Sequence, residues 1–159
     1  MGLHALTEYL KYCWKAKGRH GTHSPFVYAL VESVLQVEVG GGDKYGQLLK
    51  AIAAQYNYTS LLDLDKTDSI LSALKIDFDM VVLPGVQPEQ CGALLHKYIQ
   101  VAQNGVIVAP NIHKTRNYTE CWDTLCADRS VKLSIDLYGI GLLFSKAEFK
   151  EKQHFVLKY

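Results

Sequence analysis

Phe78-Asp79-Met80-Val81-Val82-Leu83-Pro84-Gly85-Val86-Gln87-Pro88, followed without a break by the stretch to His113, decides how this chain folds. Residues 78–83 form a short apolar run, the pattern of a strand covered on both faces. Pro84 and Gly85 end it. Pro88 suits the first turn of a helix, where a missing N–H costs nothing. Cys91, Leu94, Leu95, Tyr98, Ile99 and Ala102 then recur at helical spacing, and Asn104-Gly105 stops the helix. Val106-Ile107-Val108-Ala109 reads as a second strand, ended by Pro110-Asn111. Such a unit closes as a right-handed βαβ crossover with parallel strands. Its two loops, 84–87 and 110–113, then reach the same edge of the sheet, where open α/β folds bind ligands.

The 159 residues suit one domain and can bury a real core. Residues 1–38 read as a helical segment and 44–159 as the α/β core. A net charge of +1 gives no electrostatic pull toward nucleic acid or membrane. The four cysteines (Cys13, Cys91, Cys121, Cys126) have no CxxC spacing and read as reduced thiols, with Cys121 and Cys126 as packing or surface thiols. With no apolar leader and no run of about 20 apolar residues, the expectation is a cytoplasmic protein.

Leu3, Leu6, Leu10, Cys13 and Trp14 share one helical face, on a helix that ends at Gly18. The spacing fits a membrane-surface helix, but packing of this face on its own domain is the favoured reading. Ser24 and Pro25 start a second helix, with Val27, Leu30, Val31, Val34 and Leu35 inward. His20 and His23, with no third ligand nearby, make a poor metal site. Beside Arg19 and a helix N-terminus they suit an anion better.

Val37-Glu38-Val39-Gly40-Gly41-Gly42 imitates a nucleotide-binding strand and glycine loop. The residues before it read as helix, so a joint between two helices is favoured. A helix from Lys44 to about Tyr56 follows, with Leu48, Leu49, Ile52 and Ala53 inward. Residues 60–65 give the first strand and 67–74 a short helix. Tyr118–Asp128 is a helix with Cys121, Trp122 and Leu125 inward. Val131, Leu133, Ile135 and Leu137 alternate with Lys132, Ser134 and Asp136, a half-exposed strand. Leu142–Phe144 returns from the Tyr138–Gly141 turn, and residues 153–159 supply an edge strand.

Four segments carry a family resemblance. They are residues 17–28 (KGRHGTHSPFVY), 44–49 (KYGQLL), the βαβ unit, and 134–144 (SIDLYGIGLLF) with 152–157 (KQHFVL). Through them the chain resembles class I S-adenosylmethionine (SAM)-dependent methyltransferase-like proteins of Bacteroidetes. The resemblance implies a truncated Rossmann-like sheet, mostly parallel, with a C-terminal antiparallel hairpin.

Departures from the family pattern bear on activity. Asp63 and Leu64 match the end of the family's first strand, but Asp65 stands where a glycine lets the backbone approach the cofactor. A carboxylate there opposes the carboxylate of SAM. The family's ribose-holding strand is missing, because Leu74 runs through Lys75-Ile76-Asp77 into Phe78. The family's Asp-Gly-Asn-His is Pro84-Gly85-Val86-Gln87 here, and its Asp-Asp-Ile-His is Pro110-Asn111-Ile112-His113. In related O-methyltransferases such aspartates bind a divalent ion, and a hard cation needs several oxygen ligands. No Mg²⁺ site is expected.

The resemblance therefore implies a degenerate methyltransferase-like protein without catalysis, acting as a binding or interaction module, with no cofactor. Asp63, Asp65, Gly85, Gln87 and Asn111 are its vestigial cofactor residues. The alternative is an active enzyme that takes SAM through an altered site, with His113 as general base. A third reading is a pocket for a small anion near Arg19, His20, His23 and His113. No partner motif is present; an open sheet edge would allow a homo-oligomer.

Overall fold

A computed structural model describes residues 3–17, 24–35, 43–65, 78–85, 88–100, 102 and 104–159. Arg19, His20, His23, Gln87, the glycine run and the 67–74 helix lie outside the described residues. The elements are α1 (Leu3–Lys15), α2 (Pro25–Leu30) continued by a π-helical turn (Val31–Leu35), α3 (Lys44–Tyr56), β1 (Leu61–Asp63), β2 (Met80–Val82), α4 (Pro88–Ile99), β3 (Val106–Pro110), α5 (Arg116–Ala127), β4 (Leu133–Asp136), β5 (Ile140–Phe144) and β6 (Gln153–Val156).

The strands make one mixed sheet in the order β1-β2-β3-β5-β4-β6. β1, β2 and β3 are parallel, with Asp63 level with Val82 and Val82 level with Val108. β5 runs against both β3 and β4, and β6 lies parallel to β4. Among the described residues, β1 and β6 are the two edges. The expected βαβ unit is present, and Pro110 closes β3 as its last residue rather than lying beyond it.

Strand alternation splits the core into two layers. Met80, Val82, Val106, Val108, Leu133, Ile135, Leu142 and Phe144 pack against α2, its π turn and α3. Val81, Ile107, Ala109 and Leu143 face α4 and α5. Ser24 caps α2, its hydroxyl accepting from Val27 N, with Pro25 at the first position. Gly105 is required at the tight approach to β2, because a Cβ there would run into the Asp79 backbone.

Three expectations need correction. The Cys91 and Cys121 sulfurs are bonded, joining α4 to α5 with Cα atoms 5.8 Å apart. A spacing of 30 residues carries no signature, and only the side-by-side seating of the two helices on one sheet face brings the thiols together. The argument from reduced thiols to a reducing compartment falls with it. β4 is buried along its whole length, not half exposed. It lies between β5 and β6, and α5 covers the face carrying Ser134 and Asp136.

The third correction concerns α1, which is turned the other way from the expectation. Its buried residues are Ala5 and Tyr12, while Leu3 is 81%, Leu10 60% and Trp14 89% exposed. Hydrogen bonds hold it instead: Tyr12 Oη donates to Leu157 O (2.5 Å) and Tyr138 Oη to Ala5 O (2.8 Å). No helix among the described residues is long and apolar enough to cross a membrane.

Candidate functional site

The carboxyl ends of the strands frame two separate cavities, one on each face of the sheet. The first lies on the α3 face and has a volume of about 500 Å³. Asp63 from the end of β1, Asp65 just beyond it, and Asn111 after β3 all line it. Tyr45 from α3 and Tyr159 supply aromatic walls, Leu137 and Ile140 an apolar floor, and Lys44 a cation. The parallel alignment of β1, β2 and β3 puts these residues together, as the strand-end argument anticipates.

The charged residues lining this cleft are two carboxylates, Asp63 and Asp65, and Lys44. Tyr45 Oη is buried and has no hydrogen-bond partner among the described residues. Burial first, and then Asp63, Asp65 and Asp43, push its phenol up to about 12. The hydroxyl therefore keeps its proton and presents a donor toward a wall rich in acceptors. Asn111 takes the left-handed conformation (φ 58°), its N–H donating to Gly139 O at 2.7 Å. That backbone suits an asparagine and costs a branched residue more.

Gly85 does not join this cleft. It is exposed, and a Cβ there would meet the Tyr118 hydroxyl. Pro84, Pro110, Ile112 and Tyr118 line a hollow of only about 20 Å³. Among the described residues of the two loops, Asn111 lines the α3-face cleft and Gly85 does not.

His113 also points elsewhere, into a second cavity of about 380 Å³ on the α5 face. There Nε2 lies 2.7 Å from Asp136 Oδ2, both side chains being about nine-tenths buried. An ionised carboxylate only accepts, so Nε2 carries the hydrogen and Nδ1 is left facing the Thr119 hydroxyl at 3.4 Å. Thr119 Oγ1 also lies 3.2 Å from His4 Nε2 and donates to Thr115 O at 3.3 Å. At those lengths the Thr119 contacts are weak, and the Asp136 contact is the one that fixes the ring. The other Asp136 oxygen accepts from Tyr138 N at 2.7 Å.

The remaining walls of this cavity are mixed in sign. Glu8 is paired to Lys11 at 2.7 Å and Arg116 to Glu120 at 2.8 Å, and Lys15, Asp123 and His154 are among the other lining residues. His154 is held below the usual imidazole range, chiefly by loss of solvent around its ring. Ser134 Oγ lies 2.8 Å from its Nδ1. No group of three or more His, Cys, Asp or Glu residues is arranged to hold a metal ion among the described residues.

Sequence reasoning missed Asp136, Tyr45 and Thr119. Asp136 sat on what read as a solvent face, and only the seating of α5 and α1 over that side of the sheet shows it to be covered. Tyr45 carried a signal in hindsight, since it stands at the start of a helix leading into the first strand. No protein-family model matches the chain, and neither does any curated protein or solved structure. The fold and its cleft define an α/β protein with a mixed six-stranded sheet.

Proposed function

We infer that this chain is a methyltransferase-like module that has lost methyl transfer and binds a small ligand in the cleft between Tyr45, Asp63, Asp65 and Asn111. The run of parallel strands followed by an antiparallel hairpin supports the methyltransferase-like reading. The observation that carries the loss is the pair of carboxylates on one cleft wall, Asp65 standing where close approach of a cofactor calls for glycine. Two acids and a neutral phenol favour a ligand rich in hydroxyl or amino donors. They disfavour a ligand that brings its own carboxylate to the same wall.

His113 adds nothing to this cleft, because its ring is tied to Asp136 in the other cavity. An active transferase would therefore have to find its base elsewhere.

Thermal stability measured with two probes tests the reading. Adenosine carries the nucleoside donors without a carboxylate, and S-adenosylhomocysteine carries both. A ligand at about 100 times its Kd adds about 2.7 kcal/mol. Adenosine is expected to raise the melting temperature and S-adenosylhomocysteine to leave it unchanged at millimolar concentration. An equal response to S-adenosylhomocysteine, or methyl transfer from SAM to any acceptor, overturns the loss of function. Silence with both probes overturns the ligand cleft.

A further inference from the structure

α1 is built inside out for a helix on a lone domain. Its polar side faces the body of the protein: the Glu8 side chain is only 13% exposed and Tyr12 is bonded to Leu157 O. Its apolar side faces out, with Leu3, Leu6, Tyr9, Leu10 and Trp14 all among the exposed large hydrophobic residues and Cys13 exposed beside them. Contiguous exposure of this kind marks an interaction surface.

The spacing of the outward residues says more. Leu3, Leu6, Leu10 and Cys13 follow one another at intervals of three, four and three, the repeat that forms the seam of a helix pair. The positions flanking that seam are Thr7 and Trp14 on one side and Tyr9 and Ala16 on the other, none of them charged. The charges of the helix, Glu8, Lys11 and Lys15, lie behind it, where they line the α5-face cavity.

We propose that α1 is a dimerisation helix, packing antiparallel against α1 of a second copy across a two-fold axis between Leu6 and Leu10. Leu6 then meets Leu10 of the other copy, and Leu3 meets Cys13, a large residue opposite a small one. The seam is its own complement under this symmetry, as an isologous interface requires. Antiparallel packing also sets each helix dipole favourably against the other. The side chains concerned can present roughly 150–250 Å² each when large and aromatic. Weighted by their exposure, the stripe offers on the order of 600 Å², close to the ~800 Å² per partner of a stable interface. The usual entropy cost of forming a short helix is absent, because hydrogen bonds to Leu157 and Tyr138 already hold it. A lipid surface is the poorer occupant. The seam has no basic flank for anionic headgroups, and Lys11 and Lys15 stand on the opposite side of the helix from it, Lys11 being paired to Glu8.

Sedimentation equilibrium of the full chain, with Leu10→Glu and Trp14→Lys as variants, tests the proposal. Both positions are exposed, so neither change disturbs the core. The wild type is expected to be dimeric at tens of micromolar, and each variant to weaken the dimer about tenfold or more, which is ~1.4 kcal/mol or more. A monomeric wild type, or variants that leave the dimer intact, overturns it. Oxidative cross-linking reads the orientation. Leu3→Cys is expected to form a disulfide to Cys13 of the other copy, which one helix cannot form within itself because the positions are roughly 15 Å apart. Ready Cys13–Cys13 linkage in the wild type overturns the antiparallel arrangement. A wild type that is monomeric in solution but floats with phosphatidylglycerol vesicles gives the surface to lipid instead.

Discussion

The His113 ring and the Asp136 carboxylate meet at 2.7 Å between the end of β3 and the end of β4, two strands that do not touch each other because β5 lies between them. The pair thus bridges over an intervening strand. Asp136→Ala leaves both His113 Nε2 and Tyr138 N without their acceptor, and we expect it to cost about 3 kcal/mol in denaturant unfolding. The double variant with His113→Ala should cost less than the two single changes added together. The ring should show the Nε2–H tautomer in its nitrogen NMR shifts. An Nδ1–H tautomer would refute the assigned geometry.

The Cys91–Cys121 bond closes a loop of 30 residues. On the chain-entropy model such a loop is worth about 3–4 kcal/mol. Cys91→Ala with Cys121→Ala should lower stability by that order. Because both residues are buried, a mild reductant should open the bond only as fast as the protein unfolds. Alkylation kinetics followed by mass spectrometry read this directly.

Two phenolic hydroxyls anchor α1, one from within the helix and one from the β4–β5 turn. Tyr12→Phe and Tyr138→Phe should each cost about 1 kcal/mol. Both should raise hydrogen exchange in residues 3–15 while leaving the β3 and β5 amides protected. Equal loss of protection throughout would show that α1 is not a separately anchored element.

Asp79 Oδ2 accepts from Thr59 N (2.8 Å), Ser60 N (3.0 Å) and Ser60 Oγ (2.9 Å), tying the chain before β1 to the start of β2. These bonds, the one from Thr59 N first, hold the carboxyl below its usual value. A carboxyl depressed in the folded state adds stability above the unfolded pKa and loses it as pH falls through the folded value. Wild type and Asp79→Asn should therefore differ most near neutral pH, and their melting curves should converge in the acid range. A constant difference down to that range would contradict the assignment.

The βαβ unit was legible because a run of apolar residues, a proline-led helix and a second apolar run leave few other folds. Ser24-Pro25 announced α2 for the same local reason. The strand-end position of Asp63, Asp65 and Asn111 followed from parallel pairing alone. What stayed hidden depended on neighbours remote in sequence. Asp136 is buried because His113 and the helices α1 and α5, all remote in sequence, lie over its face of the sheet. Cys91 meets Cys121 because two helices share a face, and nothing in either local pattern says so. Amphipathic spacing in residues 3–14 showed that α1 has an apolar side, but not that polar anchors would turn that side outward. His113 follows β3 as expected, yet its direction was decided by a carboxylate on a strand two places away.

The antiparallel strand β5 sits in the middle of the sheet although it follows β4 in the chain. β3 waits with one side open while about thirty further residues are added, and β4 has no sheet to join until β5 fills the gap between them. Without β5 the sheet is therefore two unjoined pieces, β1-β2-β3 and β4-β6. The join rests on contacts far apart in the chain, the kind that form slowly. A chain in which β5 failed to pair would leave β3 with a row of unpaired backbone N–H and C=O groups.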